Sequence, residues 1–198
     1  MDFSLTKEQK FFKEQVSRAV QRIVAPSADF IDRSDSFPGD LFRELGSLGY
    51  YGIRYPAEIG GMGADCVMFT ILAEELARAS IGFAAIATMQ CLMGTDFIHR
   101  FGTAEQKERC LVPAIKGEKI GTIAFTEPDC GSDLGGIKTR AVKNEKGYLL
   151  TGRKLWITDG DVADFVTVAA TTAPEKRLGG IGFFLIEKGT PGFSVGQK

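Results

Sequence analysis

The 198-residue chain holds one histidine, His99, one tryptophan, Trp156, and four cysteines, and its 24 basic and 25 acidic residues leave a formal charge of −1. No run of either sign stands out, which excludes an electrostatic platform for nucleic acid and an acidic tail. Cys66, Cys91, Cys110 and Cys130 lie far apart without a CxxC, so with a single histidine they give no ligand set of metal-site spacing. Four reduced thiols in a cytoplasmic protein are expected. The start, Met1-Asp2-Phe3-Ser4-Leu5-Thr6-Lys7, has no basic patch followed by an apolar run, which argues against a secretory signal. The longest apolar run, Ile81 to Met93, is interrupted by Gly82, Thr88 and Gln90 and is too short to span a bilayer. One histidine also leaves no Ser-His-Asp or Cys-His set to argue for. His99, in Ile98-His99-Arg100, reads as a helix C-terminal cation or a packing residue. Glu74 and Glu75 are adjacent on a helix, point in different directions, and read as a solvated face rather than a carboxylate pair.

What is present is a globular composition, 44% hydrophobic with a mean hydropathy near zero. Thr6-Lys7-Glu8-Gln9 is a capping box, and Leu5, Phe12, Val16, Ala19 and Ile23 recur at helical spacing, predicting a helix from about Lys7 to Val24. Leu41, Phe42, Leu45 and Leu48 predict a second helix after Pro38-Gly39-Asp40, and Tyr55 to Gly63 reads as a surface loop. Asp65 caps a third helical stripe ending near Ala79. Ser80 caps a fourth, from Ile81 towards Phe101, apolar nearly all round and therefore buried. Thr103-Ala104-Glu105-Gln106 is a second capping box opening a helix towards Ile115.

At about Lys116-Gly117-Glu118-Lys119 the texture changes to short β-rich runs: Ile120–Thr126, Thr139–Lys143, Tyr148–Leu150, Lys154–Thr158, Phe165–Ala170, Ile181–Glu187 and a start at Phe193–Val195. Asn144-Glu145-Lys146-Gly147 reads as a hairpin turn. The pattern predicts a multidomain α+β chain, with an all-α helical bundle over 1–118 and an antiparallel β-barrel or sandwich over 119–198. Ending at Gln197-Lys198 just after a strand pattern begins predicts an unpaired edge and a fragment, or completion by a partner chain or another protomer.

Two stretches carry chemistry. Ile123-Ala124-Phe125-Thr126-Glu127-Pro128-Asp129-Cys130-Gly131-Ser132-Asp133 is a strand running into a loop of short polar side chains, and Leu155-Trp156-Ile157-Thr158 puts an indole and a hydroxyl on one face of an expected strand. Taken singly, Trp156 also suits a barrel core, Thr126 and Thr158 suit strands, and Ser132 suits a turn.

Ala124-Phe125-Thr126-Glu127-Pro128 with Gly131-Ser132-Asp133, followed by Gly152-x-Lys154-x-Trp156-Ile157-Thr158, resembles the flavin-binding motifs of the acyl-CoA dehydrogenase family. Glu58-x-Gly60-Gly61-x-Gly63 and Phe101-Gly102-Thr103-x-Glu105-Gln106-Lys107 agree, so the resemblance covers essentially the whole chain. It implies FAD as cofactor, an acyl-CoA substrate, an electron-transferring flavoprotein as acceptor, and a homo-oligomer, a tetramer or dimer. It further implies Trp156 as a ring wall, Thr158 near N5, Ile157 beside them among the cofactor-binding residues, and the backbone of Ile123 and Phe125 with the Thr126 hydroxyl at the pyrimidine edge. Gly131 and Ser132 would then face a phosphate or the CoA part of the substrate. In the family the catalytic carboxylate lies in a C-terminal helical domain with no counterpart in these residues, so no catalytic residue is expected here. A monooxygenase or acyl-CoA oxidase of the same fold and a non-catalytic acyl-CoA-binding or assembly module are the competing readings. Glutaryl-CoA-specific members carry an arginine beside the aromatic where this chain has Gly82-Phe83-Ala84-Ala85, so a dicarboxylate anchor is not expected.

Overall fold

A computed structural model describes residues 3–34 and 36–196, and the chain divides into two compact units, Met1–Ile120 and Gly121–Lys198. Helix α1 (Lys7–Ile23) starts where the sequence places it: the Thr6 hydroxyl accepts from the Gln9 amide and the Gln9 side chain accepts from the Thr6 amide. Its buried stripe, Val16, Val20 and Ile23, packs on α4 (Cys66–Ala79) through Leu72 and Leu76, with Phe42 and Leu45 of α3 (Gly39–Ser47) completing the core. Helix α2 (Ala28–Arg33) is short. Tyr51 stacks on Phe42 with ring centroids 4.4 Å apart and donates to the Phe42 carbonyl at 2.9 Å. Glu75 departs from expectation. It is buried and pairs with Lys13 at 3.6 Å and Arg78 at 3.8 Å, because the α1–α4 contact closes over it.

The apolar segment Ile81–Phe101 has the length and composition of a membrane span. It folds as two helices, α5 (Ile81–Leu92) and α6 (Asp96–Phe101), joined by a turn. The Gly94 amide reaches back to the Met89 carbonyl, and the buried Thr95 hydroxyl contacts the Gln90 carbonyl at 2.7 Å and the Tyr55 hydroxyl at 2.6 Å, so α5 ends on a polar network rather than running through. His99 packs edge-on against Tyr55, 5.1 Å between centroids. After the Thr103 capping box, α7 (Ala104–Gln106) passes into a π-helical turn, Lys107–Leu111, and then α8 (Val112–Ile115). Pro113 has no N–H to give the Arg109 carbonyl, which accepts instead from Lys119 Nζ at 2.9 Å.

The second unit is a mixed five-stranded sheet, not the expected antiparallel barrel or sandwich. Strand β4 (Phe165–Thr171), buried throughout, pairs antiparallel with β5 (Ile181–Glu187) along one edge. Its other edge meets β1 (Gly121–Ala124) in parallel, Gly121 beside Phe165 through Ala124 beside Val168, and touches β2 (Arg140–Asn144) in parallel at Arg140 and Thr171. Strand β2 turns into β3 (Gly147–Thr151) through the hairpin expected at 144–147, where the Lys146 amide donates to Asn144 Oδ1. The antiparallel expectation fails because the excursion and hairpin between β1 and β4 act together as a crossover, which returns the chain in the same direction. Phe193–Val195 forms no strand, and Gln197-Lys198 lies outside the described residues.

Candidate functional site

Beyond β1 the chain leaves the sheet at Phe125 and returns at Thr139, whose carbonyl accepts from the Thr171 amide. Glu127 anchors this excursion. Its buried carboxylate accepts from the Lys138 amide at 2.6 Å, the Thr139 amide at 3.0 Å and Lys154 Nζ at 2.8 Å. Burial pushes the Glu127 carboxyl up, but the Lys154 ammonium and the two backbone amides outweigh it and bring the group down to about 2. Lys154 also donates to the Phe125 carbonyl at 3.0 Å, and the Leu155 amide donates to the Thr126 carbonyl at 2.9 Å. These bonds bring the two motif stretches side by side. Gly152 permits the approach, since a Cβ there would stand 2.7 Å from Thr139 Cα.

Further along, Glu127 and Cys130 form a small bridge, Cys130 Sγ contacts the Asp133 carbonyl at 2.9 Å, and Lys138 pairs with Asp129 at 2.7 Å. Between these ties Gly131 and Ser132 are exposed, with nothing within 4 Å of where a Gly131 Cβ would be. Ile123 and Thr126 are half-buried, and the half-buried Phe125 ring stacks on Phe183 at 5.4 Å.

The expected strand over Lys154–Thr158 does not form. Trp156 takes a left-handed backbone, φ 58°, followed by a turn in which the Gly160 amide reaches the Ile157 carbonyl. Trp156 and Thr158 therefore do not share a strand face, and Trp156 is no core residue: it is 88% exposed. Ile157 is half-buried. Thr158 is exposed, and its carbonyl accepts from the Thr122 hydroxyl at 2.8 Å, which pins the turn to β1. Asp159 is also left-handed, φ 60°, and burial followed by the nearby Asp161 charge pushes its carboxyl up to about 6.

Sequence reasoning did not assign Glu127, Lys154 or Thr122 a role. Glu127 and Lys154 sit inside the motifs, but a buried pair 27 residues apart leaves no local signature. The fit of this surface to a flat, polar-edged cofactor rests on its own features. The indole of Trp156 is uncovered, β1 ends the strand order among the described residues, and the Gly131-Ser132 corner is open. Beside Ile123 in the sheet, the buried Thr167 hydroxyl has no hydrogen-bond partner among the described residues.

The chain is thus a helical unit followed by a small mixed-sheet unit that displays this surface. The family model for the acyl-CoA dehydrogenase N-terminal domain matches residues 6–118, and that for the acyl-CoA dehydrogenase middle domain matches residues 122–198. The chain belongs to the acyl-CoA dehydrogenase family. It is 43% identical to the benzylmalonyl-CoA dehydrogenase of Aromatoleum aromaticum over 198 residues, covering 100% of this chain and 52% of that protein. Among solved structures it is similar to butyryl-CoA dehydrogenase from Megasphaera elsdenii, TM-score 0.89 at 36% identity, covering 98% of this chain and 52% of that one. The FAD complex of PigA is similar at TM-score 0.93 and 30% identity, covering 100% and 52%. The chain thus spans about half the length of the relatives it matches.

Proposed function

We propose that this chain supplies the flavin wall and the CoA-side contacts of an FAD-dependent acyl-CoA dehydrogenase, which oxidises an acyl-CoA thioester to the 2-enoyl-CoA. Residues 1–118 are its helical domain and 119–198 its flavin-binding β domain. FAD, when bound, supplies a two-electron acceptor for the hydride leaving the substrate β-carbon. In this reading Trp156 and Ile157 shield one side of the ring from water, Thr158 offers a donor towards N5, and the Ile123–Phe125 edge with Thr126 holds the pyrimidine. Gly131 and Ser132 meet a phosphate or the CoA portion. Glu127 is not the base, because its carboxylate is ionised and engaged by three donors. The base that removes the substrate α-proton comes from outside this chain, and an electron-transferring flavoprotein takes the electrons onward.

The observation that carries the reading is the uncovered Trp156 ring, held beside the β1 exit by the Leu155–Thr126 bond. Trp156 is the only tryptophan, so its fluorescence reports on the site without background. Titration with FAD is expected to quench that emission saturably, and Trp156→Ala to weaken FAD binding about tenfold, the worth of one stacked aromatic. Emission unmoved by FAD would remove Trp156 from the site. The chain alone is expected to show no turnover of an acyl-CoA with an artificial acceptor; measurable turnover would place the base within it.

A further inference from the structure

The connection between β4 and β5, Pro174–Gly180, enters none of the roles above, yet it holds the most unusual backbone of the second unit. Arg177 has φ 49° and ψ −123°, a combination that costs a non-glycine residue strain and persists only where something holds it. The connection is held by its own backbone bonds, Thr172 N–H to the Gly180 carbonyl and Lys176 N–H to the Ala173 carbonyl, and from it Arg177 Nη2 lies 2.8 Å from both Asp133 carboxylate oxygens, across 44 residues of sequence. Asp133 is the residue directly after Ser132, and its carbonyl is the one that Cys130 Sγ contacts. Gly135 makes room for the pair, since a Cβ there would stand 3.2 Å from the Arg177 guanidinium and 3.3 Å from Asp133 Oδ1. The pair is exposed, so its energetic worth is small, but one guanidinium nitrogen within 2.8 Å of both oxygens links the two segments at a defined distance.

From this geometry we infer that Arg177 is a positioning residue: from a separate segment it fixes Asp133 and so holds the Gly131-Ser132 corner ready for a phosphate-bearing ligand. The excursion is already tied at its base by Glu127 and on one side by Asp129 and Lys138. Cys130, tied to Glu127, borders the corner on one side and Asp133 on the other, and Arg177 reaches Asp133 from a separate segment. The ligand assignment rests on the proposed function; the fastening of the corner does not. The phosphate belongs either to the cofactor or to CoA, and the two are distinguished by titrating each alone.

Arg177→Gly separates the two effects, because glycine tolerates the left-handed backbone while removing the guanidinium. The variant is expected to keep or raise the melting temperature, while amide hydrogen exchange over residues 130–136 speeds up about threefold to tenfold, the range of a weak exposed tie, with β4 unchanged. Binding of FAD or of CoA, whichever uses the corner, is expected to weaken by a similar factor, and Asp133→Asn to behave alike. The double variant Asp133→Asn/Arg177→Gly is expected to be no worse than either single one in both readouts, since each change removes the same contact. Wild-type exchange across 130–136 in Arg177→Gly would overturn the inference. Ligand binding lost in Arg177→Gly but kept in Asp133→Asn would equally overturn it, by making Arg177 a direct ligand contact. If the wild-type chain binds neither FAD nor CoA, the proposed function fails while the exchange comparison still decides whether Arg177 fastens the corner.

Discussion

The two stretches that meet in the candidate site are built in opposite ways. Phe125–Thr139 is an excursion tied from beneath, with a buried carboxylate, two amides and an ammonium at Glu127 and ion pairs along its length. Gly152–Gly160 is pressed against it yet turns its largest side chain, Trp156, out to solvent on a left-handed backbone. The first stretch spends its polar groups on its own order, whereas the second keeps an apolar surface uncovered. Rigid support on one side and an unburied aromatic on the other is what a site needs when the ligand supplies the missing contact.

Breaking the tied side has the largest effect expected. Lys154→Met removes the ammonium and leaves Glu127 charged and buried, which should cost about 3–5 kcal/mol in denaturant unfolding at pH 7. In the wild type the Glu127 carboxyl is held down to about 2 from 4.5, so its contribution is complete above pH 4.5 and is lost as pH falls through about 2. Acid unfolding of wild type and variant should therefore converge towards pH 2, and a constant gap would show that the pair is not what the substitution removed. Gly152→Ala follows, at about 1–3 kcal/mol, because the new methyl overlaps Thr139 and the two stretches must part. Thermal unfolding reads this directly.

Asp159→Asn sharpens the contrast on the other side. A carboxyl raised from 3.8 to about 6 binds its proton more tightly folded than unfolded, so it lowers stability as pH rises from about 4 to 6. The variant is expected to be more stable than wild type by about 1–2 kcal/mol at pH 7 and equal to it below about pH 4, in melts followed across that range. The smallest effect on stability belongs to Trp156→Gly, within about 0.5 kcal/mol or slightly stabilising, since an exposed ring contributes little packing and glycine accepts φ 58°. Substantial unfolding in that variant would show that Trp156 serves the fold after all.

The helical unit was largely legible because its signals are local. Thr6 and Thr103 cap through bonds to residues three positions on, and the α1 and α4 stripes bury Val16, Ala19, Ile23, Ile71, Leu72 and Leu76, while Val67 stays exposed. Pro113 and Lys119, six residues apart, already required a fold to show one compensating for the other. Glu75 was misread because the partner that buries it, Lys13, belongs to another helix. In the second unit each strand had a sequence signal, but whether neighbours run parallel depends on the direction in which the chain returns to β4, and no local pattern states that. The flavin motifs resembled a family through residue identity, while their conformation was mistaken where Trp156 breaks the expected strand.

The amino-acid sequence by itself determined the family, the capped helices and the two-residue hairpin turn, because these rest on identity and on contacts within a few positions. Only the tertiary structure decided the mixed sheet, the Glu127–Lys154 anchor, the outward Trp156 and the reach of Arg177 to Asp133. Each depends on groups tens of residues apart sharing one small volume, where desolvation and pairing are settled together.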